Sequence, residues 1–164
     1  MIAIGLGGNV GGEDAVRDRF IRAREALAQL GEARSAALYR SAPIGPAQPA
    51  FLNTAIRVRA DDGVQPGELV ATLQEIERLL GRDRAREVRW GPRPLDLDVL
   101  LWDARVIRSP ELEVPHPRLI ERRFALEPLI DLFGEAHDVP GAGTLGELAA
   151  RVRDQVVERI DERW

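Results

Sequence analysis

Hydrophobic positions recur along this 164-residue chain with two periods, and their alternation predicts the order of its elements. Residues 2–6 are a short apolar run that stops in Gly7-Gly8-Asn9-Val10-Gly11-Gly12, which predicts a strand and a tight turn. Val16, Phe20, Ala23, Leu27 and Leu30 then share one face of a helix that Gly31 ends. A strand is predicted over 35–40, followed by a Pro/Gly-rich loop over 41–49. Residues 51–59 alternate, with Leu52, Thr54, Ile56 and Val58 on one face and Phe51, Asn53, Ala55 and Arg57 on the other. Pro66 suits the first turn of a second helix, with Leu69, Leu73, Ile76 and Leu80 as its core face and Gly81 as its stop.

An arginine-rich loop follows over 82–89, then a strand over 95–102 whose Leu95, Leu97, Val99 and Leu101 are expected to face a core. Val106-Ile107 is a candidate hairpin return. Pro115 and Pro117 bracket His116 in a turn before a helical stretch over 119–133, and Thr144-Leu145-Gly146-Glu147 fits a capping box. Toward Trp164 the pattern supports helix and strand equally. The order βαββαβ, with C-terminal additions, predicts an α+β fold of ferredoxin-like type: an antiparallel sheet in an α/β/α sandwich, forming one domain over 1–164.

Composition changes this picture mainly by what it excludes. With 45% hydrophobic and 30% charged residues, the chain has the make-up of an ordinary globular protein. A formal charge of -4 argues against a nucleic-acid surface. No apolar run approaches the ~20 residues that span a bilayer. The apolar start has no basic leader, so a cytoplasmic protein, expected to be a monomer, is predicted. Cysteine is absent, which removes thiol nucleophiles and thiolate metal sites. Histidine occurs only at His116 and His137, too few for a histidine-rich zinc site, and His137 has no setting that suggests a role. All 23 basic side chains are arginine. Any phosphate must therefore be met by arginine and a metal rather than by lysine, and the guanidinium fork suits that task.

The densest chemistry lies in Arg89-Trp90-Gly91-Pro92-Arg93-Pro94-Leu95-Asp96-Leu97-Asp98. Two aspartates two apart in a strand point to one face, roughly 6.5–7 Å apart at Cα. Paired carboxylates repel, and a hard divalent cation such as Mg²⁺ relieves this while leaving positions for substrate phosphates. The D-x-D pattern alone fits a solvated strand face equally well. Neighbouring arginines shift the balance, because metal-bound phosphates need cationic partners. Trp90 beside Gly91-Pro92 suits a flat wall for an aromatic ligand, and Phe51 and Asn53 put a ring beside an amide on one strand face. His116 is held between prolines where it could contact phosphate. Gln74 and Glu77 lie three apart on one helix face, away from the core stripe, where a solvated face is the plain expectation.

With these residues in view, the chain resembles the 6-hydroxymethyl-7,8-dihydropterin pyrophosphokinase family of folate biosynthesis. The markers are Leu6-Gly7-Gly8-Asn9-Val10-Gly11, Tyr39-Arg40-Ser41, Phe51-Leu52-Asn53, Gly81-Arg82, the segment from Arg89 to Asp98, and Val114-Pro115-His116-Pro117 with Arg122 and Phe124, all in family order. The resemblance implies transfer of pyrophosphate from ATP to a pterin hydroxymethyl group, releasing AMP. It implies that Asp96 and Asp98 hold two Mg²⁺. Ser41, Ala42, Ile44, Phe51, Asn53, Trp90 and Phe124 would line the pterin pocket. Gln74, Glu77, Arg93, His116 and Arg122 would contact ATP. Arg82, Arg93 and one of Arg84 or Arg86 would act in catalysis. Gly8 stands where the family usually has serine, which reads as structural. Two other readings remain: a D-x-D nucleotidyl- or glycosyltransferase, and a non-enzymatic ferredoxin-like ligand-binding module.

Overall fold

The computed structural model describes residues 1–43, 47–61, 63–88, 91–162 and 164. Its main sheet has six strands, all paired antiparallel: β1 (Ile2–Gly8), β2 (Gly31–Ser35), β3 (Leu38–Ser41), β4 (Phe51–Ala60), β5 (Asp96–Trp102) and β10 (Val157–Asp161). The path runs β10-β3-β4-β1-β5, and β2 also pairs with β4. Two small hairpins, β6 (Ile107–Arg108) with β7 (Glu113–Val114) and β8 (Asp138–Val139) with β9 (Gly143–Thr144), lie outside it.

Helices cover both faces. On one, α1 (Glu13–Leu27) and α2 (Pro66–Leu79) pack Val16, Phe20, Ala23, Leu69, Leu73 and Ile76 against Ile2, Ile4, Leu97 and Val99. On the other, α3 (Arg123–Phe133) and α4 (Leu145–Arg151) bring Leu126, Leu129, Leu145 and Leu148 to Ala3, Ala55, Leu100 and Leu101. Pro66 stands at the first turn of α2, and Thr144 and Glu147 form the capping box of α4. None of the described helices is long and apolar enough to cross a membrane.

Three differences from the pattern-based reading have physical causes. The single strand expected over 35–40 is divided between β2 and β3. At the break Thr54 Oγ1 donates to the Ala37 carbonyl at 2.9 Å and Asp131 accepts the Ala37 N–H at 3.1 Å, so side chains replace ladder bonds. Leu101 does not share a core with Leu97 and Val99. The pairing of β1 shifts between Ala3 and Ile4, so Ala3 faces Leu101 and Ile4 faces Val99, leaving Leu100 as the extra residue of a bulge. Both Leu100 and Leu101 therefore turn to the α3 side. Ile107 returns against Val114 and not against β5. The undecided C-terminus is a strand, β10, that covers the edge of β3, and Trp164 Nε1 donates to the Ala36 carbonyl at 2.9 Å.

Candidate active site

The ends of β1, β4 and β5, the β3 terminus and the approach to α3 enclose a cavity of about 360 Å³. Register explains who faces it. Gly7 lies between Asn53 and Asp96, and Gly5 between Ala55 and Asp98, so the absence of side chains on β1 leaves the hollow open. The bulge at Leu100 continues the Asp96–Asp98 face as the cavity's apolar floor.

One end is neutral. Ser41, Ala42, Phe51, Asn53 and Phe124 line it. Asn53 is buried, and its Nδ2 donates to Ser41 Oγ at 2.9 Å. That bond fixes the amide as a polar handle in a cavity that Phe51 and Phe124 also line, a combination suited to a flat heterocycle.

The other end is charged. Asp96 Oδ2 accepts from Arg93 Nη1 at 2.7 Å, and Asp96 Oδ1 accepts from Arg82 Nη1 at 2.5 Å. Burial alone would raise the Asp96 carboxyl, but Arg82 and Arg93 outweigh it and hold it below the usual range. Among the described residues, Asp98 has no arginine hydrogen-bonded to it. Burial, with the neighbouring Asp96 charge, pushes it up to about 6. His116 Nε2 lies 3.8 Å from Asp98 Oδ2, while its Nδ1 accepts the Arg118 N–H at 3.1 Å. The imidazole proton therefore sits on Nε2 and faces Asp98. Burial, aided by Arg122, pushes His116 down to about 4, so the ring is neutral at pH 7. Arg122 Nε is buried with no hydrogen-bond partner among the described residues, and its guanidinium lies 5.7 Å from the Phe124 ring centre. Buried cationic donors beside a carboxylate pair favour a polyanion that brings its own cation.

Beneath this end lies an ion-pair network that pattern alone does not reveal. Glu77 is only 1% exposed, which corrects the expectation that it lies away from the core stripe of α2. One of its oxygens accepts from Arg82 and from the Leu97 N–H, and the other accepts from Arg84 at 2.6 Å. Arg82, likewise buried, also grips Glu87 through Nε at 2.5 Å and Nη2 at 3.0 Å. Glu77 thus ties the arginine loop to the strand that carries Asp96. Gln74 is exposed on α2. Arg86 points away, with 88% of its side chain exposed, and pairs with Asp83 at 3.3 Å. Ile44, Arg89 and Trp90 lie outside the described residues. Residue pattern also left out Asn9, Glu87 and Arg118. A polar residue inside a glycine turn marks Asn9 in the sequence, and the other two carry no local signal.

The family model described as 7,8-dihydro-6-hydroxymethylpterin-pyrophosphokinase matches residues 3–134. The chain is 37% identical to 2-amino-4-hydroxy-6-hydroxymethyldihydropteridine pyrophosphokinase of Pseudomonas aeruginosa, covering 97% of this chain and 96% of that one. Identity is 38% to the Bacillus subtilis protein of the same name, covering 79% and 75%. It is 43% to the mitochondrial folate synthesis bifunctional protein of Pisum sativum, where the match covers 84% of this chain and only 26% of the relative. The chain thus spans about a quarter of that longer plant protein. In fold, it is similar to the crystal structure of Plasmodium falciparum HPPK-DHPS, with a TM-score of 0.68 at 14% identity, over 92% of this chain and 45% of that one. With the family model spanning most of the chain and bacterial relatives matched over three quarters or more of their length, the chain belongs to the 7,8-dihydro-6-hydroxymethylpterin-pyrophosphokinase family, HPPK.

Proposed function

We propose that this pyrophosphokinase transfers the β,γ-pyrophosphoryl group of MgATP to the hydroxymethyl oxygen of 6-hydroxymethyl-7,8-dihydropterin in folate biosynthesis, releasing AMP. The observation that carries the reading is one cavity with a neutral ring-and-amide end at Phe51, Asn53 and Phe124 and a charged end at Asp96, Asp98, Arg93 and Arg122. Family membership supplies the acceptor and the donor. It does not favour a nucleotidyl- or glycosyltransferase or a non-enzymatic binding module.

The donor set fits a hard cation. Asp96 and Asp98 set two carboxylates on one strand face, and no nitrogen or sulfur ligand is required. Both Asp96 oxygens accept from Arg82 and Arg93 here, so a cation would share or replace those bonds and would complete its shell with phosphates and water. The count of two Mg²⁺ is what the family resemblance implies, and the proposal includes it as such. Bound there, the cations neutralise phosphate charge.

The chain's own residues do the rest. Ser41 and Asn53 orient the pterin edge, with Ala42 beside them and Phe51 and Phe124 flanking the ring; Ile44 and Trp90 are assigned to pterin binding by family resemblance alone. Arg93 and Arg122 hold phosphate oxygens through forks that suit them. His116 donates from Nε2 while remaining neutral. Gln74 contacts the nucleotide from the exposed face of α2, and Glu77 supports the nucleotide end through Arg82 and Arg84. Arg84 is the loop arginine assigned to catalysis, because it alone of Arg84 and Arg86 is bonded into the site network. The acceptor oxygen attacks the β-phosphorus. The bond from that phosphorus to the α,β-bridging oxygen breaks, AMP carries away the electron pair, and the hydroxyl proton passes to solvent. Placement and charge stabilisation carry the barrier reduction, and no residue is assigned as a general base.

As to architecture, β1 between β4 and β5 supports a ferredoxin-like core, and we treat 1–164 as one domain acting as a cytoplasmic monomer. The direct assay is AMP formation from MgATP with and without the pterin. AMP that appears only with both substrates and Mg²⁺ is the expected result, and pterin-independent or absent AMP formation contradicts the reading.

A further inference from the structure

The glycine turn after β1 carries one polar side chain that the proposed chemistry does not use. Asn9 is only 3% exposed, yet its amide bonds two separate segments at once. Its Oδ1 accepts the Arg93 N–H at 2.9 Å, and its own backbone N–H donates to the Arg93 carbonyl at 2.9 Å. Its Nδ2 donates to the Pro49 carbonyl at 3.0 Å and to Gln48 Oε1 at 3.0 Å. The orientation of the amide is determined by these partners. Rotated by half a turn, its NH₂ would oppose the Arg93 N–H and its oxygen would oppose the Pro49 carbonyl.

The bonded segments serve opposite ends of the cavity. Pro49 lies two residues before Phe51, at the neutral end, and Arg93 binds Asp96 at the charged end. They are far apart in sequence, and Asn9 is 40 residues from Pro49 and 84 from Arg93. Gly8 permits the close approach, since a Cβ there would meet the Pro94 carbonyl oxygen at 2.7 Å. A Cβ on residue 8 would require this turn or the Pro94 carbonyl to shift.

We propose that Asn9 is a positioning residue that couples the two ends of the cavity, its single buried amide fixing the spacing between the segment before β4 and the segment before β5. The inference rests on the pyrophosphoryl-transfer reading for its meaning, but its geometry can be tested without turnover. Without Asn9 each segment keeps its own fold but loses its reference to the other, so acceptor and donor are bound at a variable distance. In-line transfer is sensitive to such misplacement.

The test compares wild type, Asn9→Ala and Gln48→Ala by hydrogen–deuterium exchange over residues 47–51 and 91–95. Equilibrium binding is measured separately for 6-hydroxymethyl-7,8-dihydropterin and for α,β-methylene ATP with Mg²⁺. Asn9→Ala is expected to raise exchange in both segments and to lower kcat about tenfold, more than it raises either dissociation constant. Gln48→Ala removes a side chain of the first segment that accepts from Asn9, and through Asn9 it should raise exchange in the second segment as well. Should Asn9→Ala fail to fold, the Gln48→Ala result decides alone. Exchange that changes only over 47–51, or a loss of melting temperature with kcat unchanged, overturns the proposal. Failure of the wild-type chain to bind the pterin or the nucleotide would defeat the functional reading instead, and would leave the exchange result standing.

Discussion

At one end of the cavity Asp96, Asp98, Arg93 and Arg122 bring four ionisable side chains together; at the other, Ser41, Phe51, Asn53 and Phe124 bring none. The charged end is held by salt bridges that continue below the surface into Glu77, Arg82 and Glu87. The neutral end is held by strand register and one amide–hydroxyl bond. Charge tolerates displacement because Coulomb attraction falls off slowly, whereas a ring slot and an amide reward only the correct shape. The charged end is therefore suited to lowering a barrier and the neutral end to choosing a substrate. Substitutions should separate accordingly into losses of rate and losses of acceptor affinity.

The largest effect should come from the carboxylates. Asp96→Ala or Asp98→Ala should lower kcat by about 10³-fold or more, with pterin affinity partly retained. Steady-state rates and pterin titration check this, and rates like wild type at saturating Mg²⁺ would remove the metal assignment. Next comes the loop. Arg84→Ala should cost about 10²-fold in kcat, as for lost charge stabilisation in the transition state, while Arg86→Ala costs less than about threefold. Equal and negligible effects would take the loop out of the mechanism.

The neutral end gives a smaller and different signature. Asn53→Ala should weaken pterin binding about tenfold through loss of a buried hydrogen-bonding group, and leave binding of the nucleotide analogue unchanged. Titration of each ligand separately would show whether the two ends are energetically distinct.

The smallest effect concerns stability. The folded-state value of Asp98, about 6, lies above its ordinary 3.8, so the folded chain holds that proton more tightly than the unfolded chain does. Stability from this group therefore falls as pH rises from about 4 to 6, and at pH 7.5 the charged carboxylate is a cost. Without added Mg²⁺, Asp98→Asn should raise the melting temperature at pH 7.5 by about 2 °C, and by almost nothing below pH 4. A thermal scan at both pH values checks the sign, and a stabilisation of equal size at both would show that charge is not its cause.

The same contrast explains what could be read before the structure. The charged end is local: Arg93, Asp96 and Asp98 lie within six residues, and strand periodicity places both carboxylates on one face. Phe51 and Asn53 were legible for the same reason, since β4 alternates regularly. Family likeness, rather than spacing, brought Phe124 and Arg122 to the same place. Three features escaped because they depend on tertiary contact. Glu77 sits on α2 at a position that reads as solvated, and only its approach to Arg82 and the Leu97 N–H makes burial tolerable. The bulge at Leu100 follows from pairing with β1, which no local pattern encodes. The division between β2 and β3 depends on Thr54 and Asp131 taking over backbone bonds from positions distant in sequence.

The central claim is that an intact pyrophosphoryl group crosses from the charged end to the neutral end in one transfer. Phosphorus NMR of the products formed from MgATP and the pterin tests this most directly. The account predicts AMP together with a pterin diphosphate showing two mutually coupled phosphorus signals. ADP with a pterin monophosphate, or free pyrophosphate with an adenylylated pterin, would contradict it.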